Sequence, residues 1–120
     1  MKQTLLIITA LMLVVGCSNV NGQTYTGMEF YKSGEPKSIK TYKELNDKFE
    51  LVKSISLYEN GQKSSERTYK GVDSSYGYPI NHGKWTYWHS NGQKSREQTF
   101  KDGKLIKEAH WDEDGNVWDY

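Results

Sequence analysis

Between Phe49 and Tyr58 the chain reads FELVKSISLY. Phe49, Leu51, Ile55 and Leu57 occupy odd positions with Lys53, while Glu50, Ser54 and Ser56 fill even ones and Val52 alone breaks the pattern. A period of two marks a strand with one face toward a core. In LIKEAHW, Leu105, Ala109 and Trp111 share a face in the same way. Turn signals punctuate these stretches: Asn60-Gly61, Asn91-Gly92, Asp102-Gly103 and Asp114-Gly115, with a weaker Ser33-Gly34. Such dipeptides suit two-residue type I′ hairpins, which need positive φ at both central positions. The expectation is all-β: an elongated antiparallel sheet of successive hairpins. Its strands are predicted near residues 25–32, 37–43, 48–58, 63–70, 83–89, 93–101, 104–112 and 116–119. Only TYKELNDK at 41–48 has room for a helical turn.

The hairpins repeat. Shifted by 31, NGQKSSERTYK (60–70) falls on NGQKSREQTFK (91–101), with eight of eleven positions identical. Shifted by 27, Tyr31, Gly34, Ser38, Thr41, Tyr42 and Lys43 meet identical residues in the stretch from Tyr58 to Lys70. A fainter copy places Trp88 on Trp111 and Gly92 on Gly115. The plainest interruption is GVDSSYGYPIN at 71–81, expected as a long loop between repeats that carries Tyr76 and Tyr78. Phased copies of this kind indicate one supersecondary unit used several times.

The N-terminus has a different grammar. A largely apolar run from Leu5 to Val15 is followed by Gly16 and Cys17, the single cysteine. Eleven residues are too few to span a hydrocarbon core, which takes about 20 in a helix. A charged start, a short apolar run and a small residue describe an export signal. VVGC resembles the lipobox of bacterial lipoproteins, which implies a signal-peptide helix over 1–16, cleavage before Cys17 and a diacylglycerol on its sulfur. Residues 17–24 then read as lipidated cysteine and tether, and residues 25–120 as the β-domain. Ser18 after the cysteine lacks the Asp associated with inner-membrane retention, which favours an outer-membrane location.

The stretch GKWTYWHSNGQKSREQTFKDGKL (83–105) resembles the bacterial variant of the MORN repeat. The family pattern is roughly G-x-W-x-x-Y-x-x-N-G-Q, then an aromatic and xDGK. Here Gly83-Lys84-Trp85, Tyr87-Trp88, Asn91-Gly92-Gln93-Lys94 and Phe100-Lys101-Asp102-Gly103-Lys104 carry it. Copies at 57–71 and 30–43 lack the leading G-x-W, and the last keeps only Trp111 and Gly115. The resemblance implies stacked hairpins and a scaffold or interaction role, with no shared catalytic residues. Many bacterial members carry an antitoxin label and others are lipoproteins. An exported anchor would not meet a cytosolic toxin, whereas an exported immunity protein would fit.

Composition narrows the chemistry. After the apolar leader the chain keeps four Trp, nine Tyr and three Phe, a thin core of large rings suited to a sheet. Charge nearly balances, with 16 Lys and Arg against 15 Asp and Glu, so nothing favours general nucleic-acid binding. His82, His89 and His110 lack metal-ligand spacing. HWDEDGNVWD fails as a calcium loop, because Gly115 at position 6 puts His110 at position 1. Asp112, Asp114 and Asp119 lie at a chain end, a poor place for a catalytic carboxylate pair, and no G-x-S-x-G is present. No catalytic residue, metal or cofactor is expected. Trp85, Tyr87, Trp88 and Trp111, with Tyr76 and Tyr78, are the candidate contact residues for a protein partner or a glycan, or simply the rings of a thin core. Trp85 and Tyr87 should share one strand face, with Trp88 on the other.

Overall fold

A computed structural model describes residues 23–118. The expected leader over 1–16, Cys17 and Asp119 lie outside those residues. Within them the chain forms eight strands: β1 (Thr24–Phe30), β2 (Pro36–Leu45), β3 (Lys48–Leu57), β4 (Lys63–Val72), β5 (Pro79–Asn81), β6 (Gly83–Trp88), β7 (Lys94–Lys101) and β8 (Lys104–His110). They make one open antiparallel sheet in the order β1-β2-β3-β4-β6-β7-β8, and β5 also pairs with β4. Apart from β5 and β6, which both pair with β4, strands adjacent in sequence are adjacent in space, as hairpins require. Residues 41–48, with room for a helical turn, instead complete β2 and turn directly into β3. The strand expected at 116–119 is reduced to one bridge, Trp111 with Val117, and to Trp118 N donating to His110 O.

The interruption at 71–81 is not a long loop. β4 runs on to Val72, a short turn follows, and β5 returns alongside it, with Val72 opposite Pro79 and Tyr69 opposite Asn81. Asp73 sets the turn: its Oδ1 accepts from Ser75 N and Tyr76 N, and its backbone N–H donates to Tyr78 O. An aspartate followed by small residues favours this local capping.

Two kinds of turn occupy the two ends of the sheet. Asp102-Gly103 is the expected two-residue type, with φ of 48° and 87°. Asn46-Asp47 is a second, with φ of 52° and 61°. The Asn-Gly turns differ from expectation. Gly61 N donates to Tyr58 O and Tyr58 N to Gln62 O, and only Gly61 has positive φ. This is a four-residue turn closed by a glycine bulge, the next commonest hairpin connection. The same backbone pattern recurs at Tyr31–Gly34, His89–Gly92 and Asp112–Gly115.

These bulged turns lean on one another along the sheet. Tyr31 Oη donates to Leu57 O and Tyr58 Oη to Trp88 O, each at 2.7 Å, and His89 Nε2 lies 3.0 Å from Trp111 O. Asn60 Nδ2 donates to Ser90 O, and Asn91 Nδ2 to Glu113 O. Each asparagine also holds its own turn by accepting from Gln62 N or Gln93 N. A Cβ on Gly92 would sit 3.0 Å from Gln62 Oε1, and one on Gly115 would sit 2.8 Å from Gln93 Oε1. NGQ is therefore an interlock: Asn grips the next turn and Gln fills the next glycine's space, Gly92 admitting Gln62 and Gly115 admitting Gln93. The series stops at Asp112, which occupies the Tyr58 and His89 position. Its carboxylate accepts from Asn116 N and Asp114 N, and those bonds hold its pKa below the usual aspartate value.

Cross-strand register assigns the two faces. The front face carries Ser54, Arg67, Trp85 and Gln98 in one row, and Ser56, Ser65, Tyr87, Arg96 and His110 in the next. The back face carries Ile39, Ile55, Glu66, Thr86, Glu97 and Ala109. On the back, Glu66 binds Lys53 at 2.7 Å and Lys63 at 3.1 Å; one repeat on, Glu97 binds Lys94 at 2.8 Å and Lys84 at 3.3 Å. Hydrogen bonds from Lys53 and from Lys94 hold the two carboxyls below the usual glutamate pKa of 4.5. A depressed folded-state pKa means that the stabilisation is complete above 4.5 and is lost as pH falls below it. The melting temperature should therefore drop on acidification through that window, and Glu66→Gln/Glu97→Gln should flatten the drop. An unchanged acid slope in the double variant would contradict the assignment.

Candidate interaction surface

Strand β6 carries three of the rings read from the sequence as either contact residues or core, Trp85, Tyr87 and Trp88, and the structure divides them by role. Trp85 is the one buried apolar side chain among the described residues, 8% exposed. Its ring packs against Tyr69 at 5.4 Å and Phe100 at 4.6 Å, with the Arg67 guanidinium 5.6 Å from its centre. Its Nε1 donates to Thr68 O at 2.7 Å. Trp85 is thus core rather than a contact residue. Burial in the same cluster raises the Tyr69 pKa.

Trp88 and Trp111 lie at corresponding strand ends on the back face. Each is covered by a lysine of the preceding repeat, Lys63 over Trp88 at 5.8 Å and Lys94 over Trp111 at 5.6 Å. Tyr76 and Tyr78 stand on the β4–β5 turn, at the opposite end of the strands, 78% and 71% exposed. The six aromatic candidates therefore do not form one surface.

Tyr87 does belong to one. It lies on the front face with the Arg96 guanidinium 4.3 Å from its ring centre, close enough for a cation–π contact. Around this pair is an open groove of about 520 Å³, bordered by Trp88 and Trp111 as well as by Tyr58, His89, His110 and Trp118. The bulged turns build its upper wall, since Tyr58 Oη and His89 Nε2 reach the carbonyls of Trp88 and Trp111 there. The His89 contact requires the Nε2–H tautomer, because a carbonyl can only accept. Trp118 closes the side, held by its backbone bond to His110 and 60% exposed. His110 Nε2 lies 2.8 Å from Glu108 Oε1. Among the described residues neither Arg67 nor Arg96 forms a salt bridge, in contrast to the paired lysines of the back face.

Arg96 and Trp118 were not singled out from the sequence, although a signal for Arg96 was present. The three differences between residues 60–70 and 91–101 are Ser65 against Arg96, Arg67 against Gln98, and Tyr69 against Phe100. All three fall on the front face, while Glu66 and Thr68 on the back match Glu97 and Thr99 exactly. The back face is repeated and the front face is individual. Of the turn residues, Gly34, Asn60, Gly61, Asn91, Gly92, Asp102, Gly103, Asp114 and Gly115 all lie in turns. Among the described residues no group of three or more His, Cys, Asp or Glu is gathered for a metal.

Residues 81–102, the end of β5 through β6 and β7, match the family described as the MORN repeat variant. No curated protein and no solved structure matches the chain. The chain thus carries a MORN repeat variant at 81–102, set in a sheet that repeats its bulged turn at Tyr31–Gly34, Tyr58–Gly61 and Asp112–Gly115.

Proposed function

We propose that this protein is a non-catalytic interaction module, exported and held at the cell envelope through lipid on Cys17, that docks a protein partner on its front face. The observation that carries the reading is the front-face groove, where Tyr87 and Arg96 lie together and where the repeats cease to match. Aromatic residues and arginine dominate the binding energy of protein interfaces. The matched repeat supports a binding role over catalysis, and the VVGC sequence supports the anchor and the envelope location. Crosslinked capture from envelopes tests the reading: Tyr87→Ala/Arg96→Ala should lower recovery of a reproducible partner by about 30-fold, the effect of a 2 kcal/mol hot spot. Lys84→Ala on the back face should leave recovery unchanged. Equal recovery with all three chains would remove the front face from the proposal.

The exposed ring of Trp118 beside Tyr87 favours one second reading, a glycan or peptidoglycan fragment stacked in the groove. Quenching of tryptophan fluorescence by soluble cell-wall fragments, abolished in Trp118→Ala, would select that alternative.

A further inference from the structure

The two faces of the sheet differ in how their charges are satisfied. On the back, Glu66 and Glu97 each bind two lysines. On the front, the arginines meet rings instead of carboxylates: Arg67 lies 5.6 Å from the centre of Trp85, and Arg96 4.3 Å from that of Tyr87. Lys40 shares the row of Ser54 and Arg67 and has no carboxylate partner among the described residues either. Glu108, on the same face of β8, is engaged elsewhere: it accepts from Gln98 Nε2 at 3.1 Å and lies 2.8 Å from His110 Nε2. Hydrogen bonding is unbalanced in the same sense. The buried side-chain polar atoms without a partner among the described residues are Arg67 Nε, Ser38 Oγ and Ser54 Oγ. All three belong to the front face, with Ser54 directly opposite Arg67. A buried N–H without an acceptor is uncommon and costly.

We propose that the front face takes an extended acidic segment of a partner protein, with one carboxylate on Arg67 and a second on Arg96. The proposal rests on the front-face reading above and names the chemistry of the partner. A carboxylate set side-on against a guanidinium accepts from Nε and one Nη together, so a single acidic side chain supplies the acceptor that Arg67 Nε lacks. Trp85 and Tyr87 attract the two positive charges without offering an in-plane acceptor, which leaves the donors of both forks for the partner. Arg67 on β4 and Arg96 on β7 stand two strand spacings and two residues apart, about 12 Å between Cα positions. Three or four residues of extended chain span that distance. Asp112 and Glu113 border the groove at its upper end. They repel further negative charge, so the site selects two spaced acidic residues over a polyanion such as a nucleic acid.

Selection of random twelve-residue peptides, displayed on phage, against the immobilised full chain tests this without presuming a sequence. Recovered peptides should carry Asp or Glu three or four positions apart. Their binding, read by fluorescence anisotropy, should weaken as salt rises and fall about 30-fold in Arg67→Gln/Arg96→Gln. Arg67→Lys, which keeps the charge and a stem on Trp85 but loses the fork, separates binding from folding. It should melt with the parent chain yet bind about fivefold more weakly. Recovered peptides that lack acidic residues and lose binding in Tyr87→Ala overturn the acidic partner and leave the front face standing. Acidic peptides that bind Arg67→Gln/Arg96→Gln as tightly as the parent chain overturn the role of the arginines. If Tyr87→Ala binds those peptides equally well too, the front face falls with it. A labelled oligothymidylate bound as tightly as the peptides overturns the selection of spaced charges.

Discussion

Trp85→Ala should lower the stability of the folded sheet by about 4 kcal/mol, near the middle of the range for large-to-small substitutions of buried aromatics. Domains of this size hold about 5–15 kcal/mol in total, so the variant should melt roughly 20 °C lower or fail to accumulate. The effect is large because the cluster has no substitute. Tyr69, Phe100 and Arg67 all pack on the Trp85 ring, and no other apolar side chain among the described residues is buried. Trp85→Phe separates packing from hydrogen bonding. It keeps a ring but loses the bond from Nε1 to Thr68 O, while His82 N still donates to that oxygen at 3.3 Å. The expected loss is about 1 kcal/mol from the hydrogen bond, plus the smaller ring's deficit in packing. Thermal melts of the two variants check this; a Trp85→Ala protein as stable as Trp85→Phe would remove Trp85 from the core.

The second large effect is at Gly83, where β5 hands over to β6. Its φ is 89°, and an added Cβ would lie 2.7 Å from Thr68 Oγ1. That hydroxyl cannot simply rotate aside, because it donates to His82 O. Gly83→Ala therefore combines the penalty for a left-handed residue, about 1–2 kcal/mol, with the loss or distortion of a bond that joins β4 to the handover. A total of about 3 kcal/mol is expected. Gly61→Ala is the control, since Gly61 shares the backbone conformation, φ 87°, but nothing lies within 4 Å of its Cβ position. It should show the backbone penalty alone. Adding Thr68→Ala to Gly83→Ala should recover about 1 kcal/mol through a double-mutant cycle. Equal losses at Gly61 and Gly83 would mean that the Thr68 contact is relieved without cost.

Alternation made most strands legible, because residues such as Ile55 and Leu57 declare the period of two directly. β5 was hidden because GVDSSYGYPIN has no counterpart in the other repeats and reads as an insertion. Its pairing depends on Asp73 capping a tight turn, a local contest between side chain and backbone that composition does not decide. Asn60-Gly61 was legible as a turn but not as its type. The outcome hinges on whether Asn60 or only Gly61 takes positive φ, and Asn60 instead spends its amide on the neighbouring turn. Trp85, Tyr87 and Trp88 were correctly split between two faces. Register alone could show that Trp85 is the ring that Tyr69 and Phe100 enclose. Arg96 was not legible as a contact residue because the repeat is defined by what its copies share, whereas the groove lies where the copies disagree.

The interlock of the bulged turns also gives the sheet a direction. The His89–Gly92 turn offers the next one the same surface that it receives: a glutamine for a glycine and an amide for a carbonyl. A duplicated segment equivalent to residues 60–90 would find a compatible neighbour on both sides, so the array can lengthen or shorten by whole units without redesign. Among the described residues the series closes at Asp112, which turns its bonds inward. Length, and with it the distance between the first strand and the groove, becomes a quantity that gene duplication can tune while the contact chemistry stays in place.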